Sequence, residues 1–224
     1  ELGVDARWSI IKGDLAFFEV TKKLHNALHG NDEKISAQDI SVFQETSQKN
    51  IKELELHGDI MFIHDPQPVA LIERKKELGK KWIWRCHIDV SSPNETAWDF
   101  IKPWVLQYDT AVFSAPSFST PLPMRQYLIS PSIDPLSDKN RELSQDIIDS
   151  ILSKYDIPSD KPLIVQVSRF DYLKDPVGVI QAFKQVRKSI NCRLVLAGGT
   201  ATDDPESGKV LAEVRDKAEG NRDI

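Results

Sequence analysis

Apolar residues recur along this chain in two alternating rhythms. Short runs that are apolar throughout, or at every second position, lie at residues 6–11, 59–64, 81–88, 110–114, 125–129, 163–167 and 193–197, the pattern of strands. Between them, apolar positions at three- and four-residue spacing predict helices at 17–28, 37–56, 69–75, 95–107, 144–154, 177–188 and 207–219. Strands that alternate with helices predict an α/β fold with parallel sheets and crossover helices. The pattern breaks at 131–142, where Pro131 and Pro135 sit among turn-forming polar residues. Two Rossmann-like α/β domains are therefore expected, at 1–133 and 134–224. The second has two clear strands, too few for a finished doubly wound sheet.

Composition narrows the class. The 224 residues carry a formal charge of −5 with acids and bases interspersed, so there is no basic stripe for a nucleic acid. No apolar run approaches the roughly 20 residues of a membrane span. Cys86 and Cys192 lie far apart, without metal-type or redox-type neighbours. A cytoplasmic protein without nucleic-acid or membrane partners is expected. The chain opens on Glu1 rather than Met and closes at Ile224 after a charged helical stretch, which reads as an internal fragment of a longer protein.

The most informative stretch is Gln166–Pro176. The strand 163–167 leads into Arg169, a short loop and Lys174, and then Asp175 and Pro176 supply an N-cap and a first helical residue. Two cations thus fall between the carboxyl end of a strand and the amino end of a helix, where doubly wound sheets bind ligands and the helix dipole favours an anion. A diphosphate site and a solvated loop with two surface charges both fit. Gly198 and Gly199 follow the next strand at the same edge, where glycine lets backbone approach a ligand.

In the first domain two strands end in histidine. His64 precedes Asp65-Pro66-Gln67-Pro68, and His87 precedes Ile88-Asp89 and a loop reaching Pro93. In a parallel sheet both would share the ligand edge and there bond a sugar hydroxyl or move a proton. The other reading is a pair of histidines satisfied by neighbouring backbone. Arg85 lies two residues before His87 and so on its face of the strand. Trp82, Trp84 and Trp98 are candidates for a sugar platform or for the core. His25 and His29 are four residues apart on a helix, but with Asn26-Ala27-Leu28 between them and no third ligand no metal is expected. There is no Ser-His-Asp order, no Walker loop and no Gly-x-Gly-x-x-Gly.

These segments carry a resemblance. Val167-Ser168-Arg169 with Lys174 resembles the donor-diphosphate motif of retaining glycosyltransferases of the GT-B fold, glycosyltransferase family 4. Within it, His64-Asp65-Pro66-Gln67-Pro68, the segment from Trp84 to Pro93, and Pro131-Ser132-Ile133-Asp134-Pro135 resemble the archaeal trehalose glycosyltransferring synthases. Asp203-Asp204-Pro205 and His25-Asn26-Ala27-Leu28 are similar as well. The resemblance implies glucosyl transfer from ADP-, UDP- or GDP-glucose onto glucose, giving α,α-trehalose reversibly and with retention, with no required cofactor and with a homodimer among the assemblies of comparable enzymes. It implies that Arg169 and Lys174 offset charge on the departing diphosphate, with Ser168, Gly198 and Gly199 on the donor side. His87 would contact the transferred glucose, and His64, Asp65, Gln67, Arg85 and Asp89 would lie on the acceptor side.

The chain departs from the family pattern where it lacks the first strand with its glycine-rich loop and the later Glu-x7-Glu element, and Ser168 stands where many relatives have glycine. A sucrose- or glycogen-synthase-like enzyme, an epimerase of the same fold, and a non-catalytic sugar- or nucleotide-binding module are the alternatives.

Overall fold

The structure, a computed structural model, describes residues 3–199 and 206–224; the Asp203-Asp204-Pro205 motif lies outside the described residues. The chain forms two compact units, Glu1–Ser132 and Ile133–Ile224.

The first unit opens with α1 (Leu15–Leu28) and α2 (Ala37–Glu53). Asp14 caps α1 by accepting from the Phe17 amide, and Phe17, Val20, Thr21, Leu24, Ala27 and Leu28 form its buried stripe. Ser36 and Asp39 close a capping box on α2. The Asp39 carboxylate also takes the Lys23 ammonium at 3.0 Å, which ties the two helices together. The sheet consists of β1 (Ile60–His64), β2 (Lys81–Cys86), β3 (Thr110–Phe113) and β4 (Arg125–Leu128), all parallel and in that spatial order. A 3₁₀ segment at Val69–Arg74 and the short α3 (Lys75–Leu78) join β1 to β2, and α4 (Glu95–Val105) joins β2 to β3. The 69–75 helix of the sequence reading is therefore a 3₁₀ turn, with Val69, Ala70, Leu71 and Ile72 buried in succession. Phe43 anchors the helical layer, its ring 5.9 Å from Phe17 and 5.3 Å from Phe100.

The strand expected at 6–11 is not formed; residues 3–14 lie in no regular element. Apolar alternation makes a strand only where a ladder partner exists, and among the described residues this segment has none. It is held instead at Lys12, whose amide and carbonyl are both bonded by the Asn50 side chain at 2.7 Å. Trp82 and Trp84 are fully buried, so of the two roles open to them the structure gives them the core.

The second unit contains α5 (Gln145–Lys154), β5 (Leu163–Val167), α6 (Pro176–Val186), β6 (Arg193–Ala197) and α7 (Ser207–Ala218). β5 and β6 pair in parallel, with Leu163 opposite Arg193 and Val167 opposite Ala197. Ile180, Phe183, Cys192, Leu194, Val210 and Val214 form the core under α6 and α7. Val165 and Val167 of β5 and Ile147 and Ile151 of α5 remain exposed. Each unit buries one free cysteine, Cys86 in the first and Cys192 in the second.

Candidate functional site

The carboxyl ends of β1 and β2 bring the two histidines together. Register places His64 opposite Arg85, and the Asp65 amide continues the ladder by donating to the Arg85 carbonyl at 2.8 Å. Asp65 then turns into the left-handed region at φ 65°, a conformation Asp tolerates better than most residues. That turn lets its Oδ1 accept the His87 amide at 2.8 Å, while its carbonyl accepts the Trp84 indole N–H at 3.1 Å. His64 Nδ1 lies 2.9 Å from His87 Nε2. The ring centroids are 5.2 Å apart and the planes 10° from parallel, so the rings meet edge to edge through these two nitrogens. Phe62 and Trp8 flank the His64 ring at 5.1 and 5.5 Å. Burial and the neighbouring His87 push the His64 pKa down, Asp65 pulls the other way, and Arg85 adds to the depression. The balance favours the neutral form of His64.

The loop after β2 is held on both sides. The Val90 amide donates to the Phe118 carbonyl at 3.1 Å and the Asn94 amide to Ala27 at the end of α1 at 2.9 Å. Gly30, at φ +92°, passes so close to this loop that a Cβ would come within 2.9 Å of the Ser92 carbonyl. Asp89 accepts both the Ser91 amide and hydroxyl, at 2.9 and 2.7 Å. The hydroxyl bond is the main reason its carboxyl sits below the ordinary range, against the opposing effect of burial. Asp89 also acts on His29, whose pKa is pushed down by burial and by Lys22 while Asp89 opposes them. The His25 and His29 rings meet edge to face at 4.7 Å. Among the described residues no three His, Cys, Asp or Glu side chains converge as metal ligands.

Among the described residues, two others expected at the site make no side-chain hydrogen bond to the histidine pair. Gln67 lines a crevice with Ile11, Phe17, Ser47, Asn50 and Leu71. Arg85 is buried, and its guanidinium donates to the Phe113 and Ile129 carbonyls at 3.1 and 2.7 Å and to Ser114 Oγ at 3.3 Å. It fastens the ends of β3 and β4 beside the histidines.

In the second unit the cationic loop is organised by two aspartates. Asp171, only 1% exposed, accepts the Lys174 amide at 3.1 Å through Oδ1, capping the 3₁₀ turn Tyr172–Lys174. Its Oδ2 lies 3.2 Å from Arg169 Nη2. Asp175, left-handed at φ 46°, caps α6 by accepting from the Gly178 amide at 2.9 Å, with Pro176 as the first helical residue. The Gln166 amide group holds the Lys174 carbonyl at 2.8 Å. Ser168 N–H donates to the Ala197 carbonyl at 3.1 Å, and a Cβ on Gly198 would overlap the Ser168 carbonyl. Arg169 and Lys174 thus flank a turn at the amino end of an 11-residue helix, beside closely apposed strand ends. That arrangement suits an oxyanion ligand. Asp171 is the residue that the sequence reading missed; its signal was an Asp three positions before Lys174, the spacing of a side-chain cap.

Residues 1–120 match the family model Trehalose synthase, N-terminal domain. The chain belongs to the trehalose synthase family. Residues 148–220 match Glycosyl transferases group 1. A trehalose synthase from Rubrobacter xylanophilus is 39% identical over all of this chain and 56% of its own length. The Pyrococcus horikoshii trehalose synthase is 43% identical over 92% of this chain and 50% of its own. The chain therefore spans about half the length of the curated relatives it matches.

Solved structures give the fold. A Burkholderia vietnamiensis α,α-trehalose-phosphate synthase (UDP-forming) matches at TM-score 0.66 and 13% identity, over 92% of this chain and 53% of that one. An E. coli structure described as trehalose-6-phosphate bound with UDP-2-fluoro glucose matches at 0.67 and 14%, over 92% and 55%. The family trait visible here is the α/β, parallel-sheet architecture of GT-B glycosyltransferases. Among the described residues no helix is long and apolar enough to cross a membrane.

Proposed function

We propose that this chain carries part of a retaining hexosyltransferase that moves glucose from a nucleoside-diphosphate glucose to a second glucose, forming α,α-trehalose reversibly. In that reaction the bond from the glucose anomeric carbon to the diphosphate breaks. The anomeric oxygen of the acceptor bonds on the same face, and its proton leaves with the diphosphate. The residues to about 133 take the acceptor and those from 134 the donor.

The observation that carries this reading is the turn in which Asp171 caps the Lys174 amide and draws in Arg169 at the start of α6. The leaving diphosphate gains negative charge as the bond breaks, and fixed cations stabilise that charge without reorganising, with single-donor losses of about 3 kcal/mol. Two such cations make a metal unnecessary for the leaving group. Ser168, Gly198 and Gly199 bring backbone to the same edge. His87 contacts the transferred glucose, with His64, Asp65, Gln67 and Asp89 on the acceptor side. Arg85 shapes that side through the strand ends it fastens. The bound ligand of the E. coli neighbour, UDP-2-fluoro glucose, supports a nucleotide-sugar donor. The cytoplasm, where nucleotide sugars are available, is the proposed location, and a homodimer the proposed assembly.

Calorimetric titration with ADP, UDP and GDP tests the reading. Saturable binding of at least one, weakened by Arg169→Ala, is the expected result. No binding of any of them by the wild-type chain, or binding that the substitution leaves untouched, overturns the diphosphate assignment. A product screen with glucose, fructose and glycogen as acceptors then tests the acceptor, and transfer only to a sugar other than glucose rejects trehalose formation.

A further inference from the structure

His64 and His87 face each other through Nδ1 and Nε2 at 2.9 Å, and a bond of that length between two imidazoles holds one proton. Two neutral arrangements exist. If His64 donates, both rings must carry their proton on Nδ1. If His87 donates, both carry it on Nε2, the tautomer a neutral imidazole prefers on its own. The surroundings do not counter that preference. Besides His87 itself, the charged groups acting on His64 are Asp65 and Arg85. Asp65 uses its Oδ1 on the His87 amide, and Arg85 directs its guanidinium to Phe113, Ser114 and Ile129. Among the described residues nothing bonds His87 Nδ1, and His87 is exposed.

We propose that His64 is a positioning residue that accepts the Nε2 proton of His87, so that His87 offers an unprotonated Nδ1 to a sugar hydroxyl. His64 fixes which nitrogen of His87 bears the proton, as the second partner of an imidazole generally does. The role at the sugar rests on the trehalose-forming reading; the proton placement does not.

Nitrogen-15 histidine spectra of the full chain at neutral pH test it. Expected are a solvent-protected His87 Nε2–H, an unprotonated His87 Nδ1, and nitrogen–nitrogen coupling across the bond to His64. His64→Phe abolishes the coupling and exposes the Nε2–H to exchange, while His64→Asn, which keeps an acceptor, retains a protected Nε2–H. A wild-type His87 protonated on Nδ1, or ring protons that exchange as fast as those of exposed His57, overturns the proposal. So does a His64→Phe spectrum that is folded and unchanged at His87. If the spectra hold while no trehalose forms, the pairing stands and the reaction assigned to it fails.

Discussion

Asp171 serves Arg169 and Lys174 with different oxygens, drawing in one guanidinium at 3.2 Å and capping the other residue's amide at 3.1 Å. A buried carboxylate thereby couples two cations five residues apart. Asp171→Ala should cost about 1 kcal/mol of stability through the lost cap. It should also weaken the nucleoside diphosphate that the wild-type chain binds best by about tenfold, the equivalent of one misplaced charge-assisted contact. Asp171→Asn keeps the capping oxygen and should restore most of the stability but little of the affinity. Calorimetry and chemical denaturation read the two effects separately.

Neighbouring glycines should behave oppositely. A methyl group on Gly198 would run into the Ser168 carbonyl, whereas one on Gly199 meets nothing within 4 Å. Gly198→Ala is expected to destabilise by about 1–3 kcal/mol, because a backbone carbonyl has to move; Gly199→Ala should fall within about 0.5 kcal/mol of the parent. Urea unfolding of both variants checks the contrast.

Replacing Arg85 by Met fills much the same space but removes the guanidinium bonds to the Phe113 and Ile129 carbonyls and Ser114 Oγ. The Phe113 carbonyl keeps the Ile129 amide at 2.9 Å and Ile129 is exposed. The loss is therefore that of bonds to a charged donor rather than of buried unpaired groups, about 1.5–3 kcal/mol in a thermal or urea melt of the first unit. Arg85→Lys should recover only part of this, since a single ammonium does not reproduce the guanidinium fork.

Acid should weaken the α1–α2 junction through Asp39. Burial by itself raises its pKa, but the Ser36 amide and hydroxyl and the Lys23 ammonium outweigh burial and hold it below the usual value. A depressed carboxylate contributes stability at pH values above its unfolded pKa, about 4, and loses it as pH falls through the lower folded value. The stability difference between the parent and Asp39→Asn should therefore be constant above about pH 5 and shrink towards zero below it. His29, depressed mainly by burial, acts higher. Its unfolded form protonates first, so stability should decline as pH drops below about 6.5. His29→Gln should flatten that part of the curve.

Local chemistry was legible in the sequence. Asp175 caps α6 and Pro176 begins it because both preferences reside in single residues. Parallel pairing followed from the alternation of strands and helices, and with it the common edge of His64 and His87. Their direct contact was not legible, since it depends on β1–β2 register and on the left-handed turn at Asp65. Face alternation put Arg85 beside His87 but carried no information on burial, which sends its guanidinium along the sheet to the ends of β3 and β4. At 6–11 the alternation was real, but among the described residues no strand pairs with it.

One buried cysteine in each unit gives the chain a pair of built-in labels. Burial pushes the Cys86 thiol far towards its unreactive protonated form, and Cys192 is enclosed beneath α6 and α7. A thiol reagent should leave the native chain unmodified and mark each site only when its own unit opens. Labelling followed by peptide mapping across a urea series would then resolve two separate opening transitions, where a bulk optical signal would blend them into one.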